Sequence, residues 1–179
     1  MVLPMKISLI VCFLMIGTAI VKAQPIMTPD SITQNAMDKL SFLAGQWTGN
    51  GWIQMGRDKH LFNQQETVVQ KVNNSVIVID GLGLDAETNK TIHQAYAVIS
   101  YDRANQKYLM RAFRGDGNYI DADARVDEDG SFVWGFTHPM AGRMQYTIRL
   151  VDGKWVEKGE MTRDNTTWFP FFEMTLSKQ

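Results

Sequence analysis

Phe42–Trp52 reads FLAGQWTGNGW, three glycines and two tryptophans in one short run. Such a run is either a loop that grips a ligand or a strand that bends hard around a core. Alternation favours the strand. Gly45, Trp47, Gly49, Gly51 and Ile53 fall on one face, and Gln46, Thr48, Asn50, Trp52 and Gln54 on the other. Inward glycines beside an inward Trp let a strand coil tightly and leave space for the indole to lie flat. The stretch therefore predicts the closing corner of a barrel, with Trp47 as its floor and Trp52 pointing outward.

Upstream, Ser31 and Gln34 form a capping-box pattern, and Ile32, Ala36, Leu40 and Leu43 recur at helical spacing. One short amphipathic helix, Ser31 to Leu43, is expected, stopped by Gly45. Downstream, period-two alternation broken by Gly, Asn and Asp predicts ten strands. They span roughly 46–55, 59–72, 75–84, 91–101, 106–114, 118–127, 131–138, 142–151, 154–163 and 167–177. Connections this short make neighbouring strands antiparallel, and ten meandering strands need closure to remove their edges. The expected fold is an all-β, ten-stranded up-and-down barrel with the helix capping one end.

The chain begins MVLPMKISLIVCFLMIGTAIVKAQ. A basic residue, an apolar run and the small-residue site Val21-Lys22-Ala23 predict a secretory signal peptide, residues 1–23, cleaved after Ala23. Residues 24–30 are a linker, and 31–179 are the domain. The expected location is secreted or periplasmic, with no stable membrane insertion after cleavage. Basic and acidic residues nearly balance, 18 against 19, so nothing recruits nucleic acid electrostatically. The single cysteine, Cys12, falls within the leader, which excludes a disulfide framework, a Cys nucleophile and Cys-ligated metal from the mature chain.

FLAGQWTGNGW, preceded by a helix and followed by a strand meander, resembles the Gly-x-Trp signature of the calycins, which include lipocalins, fatty-acid-binding proteins and nitrobindin-like barrels. The wider pattern is most similar to nitrobindin-like and DUF1579-type barrels. The resemblance implies a helix closing the barrel floor, Trp47 packed across it, and an Arg stacked over the indole, for which Arg163 is the expected residue. Nitrobindins hold haem through a His on a late strand. Strands 142–177 carry no His, so no cofactor is expected, haem included.

The inward face of the barrel supplies the candidate ligand-binding residues: Trp47, Tyr108, Phe132, Trp134, Phe136, Tyr146 and Trp155, with Arg111 and His138 as polar anchors. Strand 118–127 turns a small face inward (Ile120, Ala122, Ala124, Val126), which leaves room. The function expected is non-enzymatic binding of a small hydrophobic or amphipathic molecule. One alternative is a lipocalin-like isomerase or hydratase using His138 or an interior carboxylate such as Glu66 as base. Another is a solid barrel acting through its surface in the cell envelope. Trp168, Phe169, Phe171 and Phe172 place aromatics on both faces of the last strand, and a homodimer would cover them. The acidic run Asp121–Gly130 fails calcium-loop spacing and reads as a solvent face. No metal site, nucleophile elbow or phosphate loop is present.

Overall fold

A computed structural model describes residues 30–179; the expected leader and nearly all of the linker lie outside the described residues. The described residues form one helix, α1 (Ser31–Asp38), a 3-10 turn (Ser41–Leu43) and ten strands. The strands are β1 (Gly45–Met55), β2 (Asp58–Lys71), β3 (Val76–Asp85), β4 (Thr91–Asp102), β5 (Lys107–Arg114), β6 (Tyr119–Val126), β7 (Phe132–His138), β8 (Gly142–Val151), β9 (Lys154–Thr162) and β10 (Phe169–Lys178). All neighbours are antiparallel, and β1 pairs with both β2 and β10, closing the barrel. The turn chemistry holds at the tips, where Asn74, Asn89, Gln106 and Asp152 take left-handed conformations.

The helix is shorter than its pattern suggests. Its N-cap is Asp30 rather than Ser31: Asp30 Oδ1 accepts from the Ile32 and Thr33 amides at 2.9 and 3.1 Å. Beyond Asp38 the chain tightens, with the Leu40 and Leu43 amides donating to carbonyls three residues back. This tightening has a packing cause. Met37, Leu40 and Leu43 recur every third residue and are all fully buried, whereas Ile32 is exposed. A three-residue period stacks side chains along a 3-10 turn, and the core selects that stripe over the α-helical one.

The floor of the barrel follows from these residues. The Trp47 indole N–H donates to the Leu43 carbonyl at 2.8 Å, and the ring meets Trp155 edge-on at 5.8 Å. Tyr108 donates its hydroxyl proton to the Ala36 carbonyl at 2.6 Å, tying β5 to the helix. Gly49 and Gly51 do what their position suggested: a Cβ on Gly51 would lie 2.7 Å from both Phe62 Cζ and Met174 Cβ. Trp52 points outward with Lys59 Nζ 3.9 Å from its ring centroid. On β6 the small face is inward as expected. Ala124 pairs directly with Tyr108 on one side and Trp134 on the other, so large rings flank the place of the small side chain.

Two expectations fail here. The cation over Trp47 is Lys178, at 5.1 Å, not Arg163. Trp47 pairs with Lys178 at the floor, while Arg163 follows the far end of β9 and is exposed beside Phe169. The aromatic run on β10 does not form a two-faced strand. A bulge between Pro170 and Phe172 turns both Phe171 and Phe172 inward, where they are buried. Proline has no amide to give the ladder, so it sits where pairing slips. Of the expected dimer surface only Phe169 is exposed, with Trp168 half-buried.

Candidate functional site

Strand parity places a polar cluster inside the barrel. On β2, the inward positions after Phe62 are Gln64, Glu66 and Val68, all buried. On β9, Trp155 and Gly159 flank Glu157, which is buried with them. From β4, His93 turns its ring edge-on to Phe62 at 5.4 Å. Gln64 Nε2 donates to Glu66 Oε1 at 2.6 Å, and Trp155 Nε1 donates to Glu157 Oε2 at 3.2 Å.

Two glycines on β3 make space for this cluster. Gly81 pairs with Glu66, and a Cβ there would stand 2.7 Å from both carboxylate oxygens. Gly83 pairs with Gln64 and His93, and its Cβ would lie 2.9 Å from Gln64 Oε1 and collide with the imidazole. Beyond the cluster a chain of rings crosses the lumen. Trp134 stacks on Tyr146 at 4.1 Å, Tyr146 meets Phe172 at 5.7 Å, and Phe172 stacks on Phe62 at 5.7 Å.

The electrostatics are unusual for a barrel interior. Burial pushes the Glu66 carboxyl up to about 7, against the Gln64 hydrogen bond and with help from the negative charge of Asp80 on the outer face. Burial pushes Glu157 up to about 8; Glu66 facing it adds to the shift, and the Trp155 indole N–H that donates to it opposes it, as does the nearby Trp134 N–H, which falls short of hydrogen-bond geometry. Burial raises the Tyr146 phenol and lowers the His93 imidazole, so both are neutral at pH 7. Every Lys and Arg among the described residues is exposed, so no side-chain cation answers the two carboxyls. Among the described residues, four buried side-chain polar atoms have no hydrogen-bond partner: Gln64 Oε1, Glu66 Oε2, His93 Nδ1 and Trp134 Nε1.

The expected lining residues divide into three groups. Trp47, Tyr108, Phe132 and Trp155 are buried floor. Trp134, Phe136 and Tyr146 are half-buried and line the lumen above it. Arg111 and His138 do not reach the lumen. Arg111 lies on the outer wall in a two-pronged ion pair with Asp121, at 2.6 and 2.8 Å, over the Tyr119 ring. It borders an external groove of about 540 Å³ between β4, β5 and β6. Tyr108, Met110 and Ala112 face inward, which forces Arg111 out. His138 ends β7, and its Nδ1 accepts from the Met140 and Ala141 amides, both at 3.2 Å. It therefore shapes a turn. A smaller open pocket of about 240 Å³ lies beside that turn, lined by Ala141, Met161, Thr162, Arg163, Asp164 and Phe169.

Gln64, His93 and Glu157 were not expected at the site. Their signal was parity: each lies an even number of residues from an inward side chain on its own strand.

No family model matches the chain, and no curated protein matches it. Solved structures do. The crystal structure of Rv2717c from M. tuberculosis is similar at a TM-score of 0.60 and 13% identity, over 84% of this chain and 98% of that one. The S-type phycobiliprotein lyase CPES from Guillardia theta is similar at 0.58 and 10% identity, with the same coverage. At these identities the likeness concerns the fold: a closed ten-stranded antiparallel barrel with one short helix, in keeping with a calycin-like architecture.

Proposed function

We propose that this barrel is a small-molecule-binding protein whose ligand is amphipathic and sits in the lumen. Its apolar body packs against Trp134, Phe136 and Tyr146, and its polar end reaches Gln64, Glu66, His93 and Glu157. The observation that carries this reading is the set of buried polar atoms without partners, drawn from β2, β4 and β7. Native interiors pair such atoms, because leaving one unsatisfied costs about 1–3 kcal/mol. A bound molecule with a polar end, displacing the water such a site would otherwise hold, supplies the missing partners. The phycobiliprotein lyase among the similar structures lends support, since its name describes a protein that acts on phycobiliproteins with a barrel of the same fold. We take the protein to act outside the cytoplasm after loss of residues 1–23, and to carry no resident haem.

Native mass spectrometry on protein purified from its own host tests the reading. The expected result is a mature chain starting after Ala23 that carries a small organic mass, lost on denaturation. A bare chain, together with an interior that takes up no added molecule, would sink it, and a Soret band would overturn the expectation about haem.

A second reading has an observation of its own. Two facing carboxyls held near neutrality, about 7 and about 8, form a proton donor and acceptor of the kind an isomerase or hydratase uses. Under that reading Glu66→Gln and Glu157→Gln each abolish turnover without loss of fold.

A further inference from the structure

The polar groups of the lumen are not a balanced set. Of the four unpartnered atoms Gln64 Oε1 accepts, Glu66 Oε2 accepts when that carboxyl is ionised, and His93 Nδ1 accepts when the ring proton sits on Nε2. Gln64 and Glu66 are themselves buried to more than nine-tenths. Around them stand two carboxyls, Glu66 and Glu157, on strands separated by β1 and β10, so they approach from two sides of the barrel. Among the described residues no Lys or Arg enters the interior to meet them. The lumen thus holds two buried carboxyls that no side-chain cation meets, and one spare donor, the Trp134 indole N–H.

An anionic or acceptor-rich molecule would worsen every one of these imbalances. A carboxylate headgroup would add a charge to a desolvated site where burial already holds two acids back from ionising, with no cation to offset it. A donor-rich cation would relieve them together. An ammonium offers three N–H donors and an amidinium offers four in a plane, matched to carboxylate oxygens. The rings beside the cluster, Trp134 stacked on Tyr146 at 4.1 Å, supply the apolar surface against which an aromatic body would pack.

Given the lumen-binding reading above, on which this step rests, we infer that the barrel selects cationic nitrogen compounds, ammonium or amidinium amphiphiles, and rejects carboxylates. Glu66 and Glu157 hold the cation, Gln64 and His93 accept its remaining N–H groups, and Gly81 and Gly83 keep the space clear.

The test uses three probes of equal shape and different charge: benzamidine, benzamide and benzoate, titrated calorimetrically into the full chain. Benzamidine is expected to bind at least about tenfold more tightly than benzamide, with benzoate not binding. Glu66→Gln and Glu157→Gln, each checked for an intact melting transition, are expected to weaken benzamidine at least about tenfold and to leave benzamide within about threefold. Equal or tighter binding of benzamide or benzoate overturns the cation assignment and leaves lumen binding standing. Benzamidine binding that neither Gln variant weakens places it outside the cluster and also overturns the assignment. If none of the three binds at millimolar concentration, the assignment and lumen binding fall together.

Discussion

The floor of the barrel and the middle of its lumen are made from similar materials and finished differently. At the floor every featured polar atom has a partner: Trp47 donates to Leu43, and Tyr108 to Ala36. In mid-lumen, on β2, β4 and β7, Gln64, Glu66, His93 and Trp134 each leave a buried polar atom unpaired. Both regions are aromatic and both are buried. The difference separates work on the fold from work on a ligand. A satisfied polar group fixes one arrangement of the chain, while an unsatisfied one costs stability until something else supplies its partner.

Substitutions at the two places should therefore change stability in opposite directions. The largest effect belongs to the floor. Trp47→Ala empties a fully buried site, removes the edge-on contact with Trp155 and orphans the Leu43 carbonyl. A loss of about 3–5 kcal/mol is expected, read as a drop in melting temperature of roughly 10 °C or more. A drop of only a degree or two would mean that the floor does not hold the fold.

In mid-lumen the sign reverses and depends on pH. Glu157 in the fold titrates at about 8, above its ordinary 4.5, so the folded state keeps a proton that the unfolded chain releases earlier. Stability from this group is intact below about 4.5, falls as pH rises through the window up to about 8, and is level above it. Glu157→Gln should match the wild type at pH 4 and exceed it by several degrees at pH 8.5. The difference between the two curves removes His93, which burial shifts downward and which contributes the opposite slope in both proteins, and reports Glu157 together with its coupling to Glu66. A variant less stable than wild type at pH 8.5 would show that the carboxylate is structurally satisfied after all.

Tyr108→Phe returns to the floor with a smaller change, one hydrogen bond to a buried carbonyl. About 1 kcal/mol of destabilisation is expected in urea unfolding, with the midpoint moved and the slope unchanged. The smallest effect sharpens the identity of the cation at the floor. Lys178→Met should lower the melting temperature by about a degree or two, and Arg163→Ala should leave it unchanged. The reverse order would restore Arg163 as the partner of Trp47.

Much of this was legible before any coordinates. The ten strands fall within about two residues of where alternation and turn residues put them, because a half-buried strand has no other way to hide one face. The same parity carried the polar cluster. If Trp155 faces inward then so does Glu157, and if Phe62 does then so do Gln64 and Glu66. Parity speaks against Arg111, which cannot share a face with Tyr108 three residues away on a regular strand, yet both were expected to face inward. What alternation could not reveal was where it breaks. The bulge at Pro170 reverses the expected side of Phe171 and removes a supposed dimer surface. The helix end was hidden for a related reason, since a change from α to 3-10 period alters which residues share a face. Both are local slips set by packing against the rest of the barrel.

The seam between β1 and β10 has a consequence for how the chain reaches this state. Gln179 Nε2 bonds Thr48 Oγ1 across 131 positions of sequence, and every β1–β10 pair has a similarly long span. All the other strand pairs join neighbours in the chain, so they form locally and early, whereas this one must wait for β10. Until then β1 offers a bare, glycine-rich edge to any extended segment nearby. The seam is therefore the expected slow step of folding and the window for strand exchange between copies. Concentration should matter most in that interval, during refolding rather than in the native state.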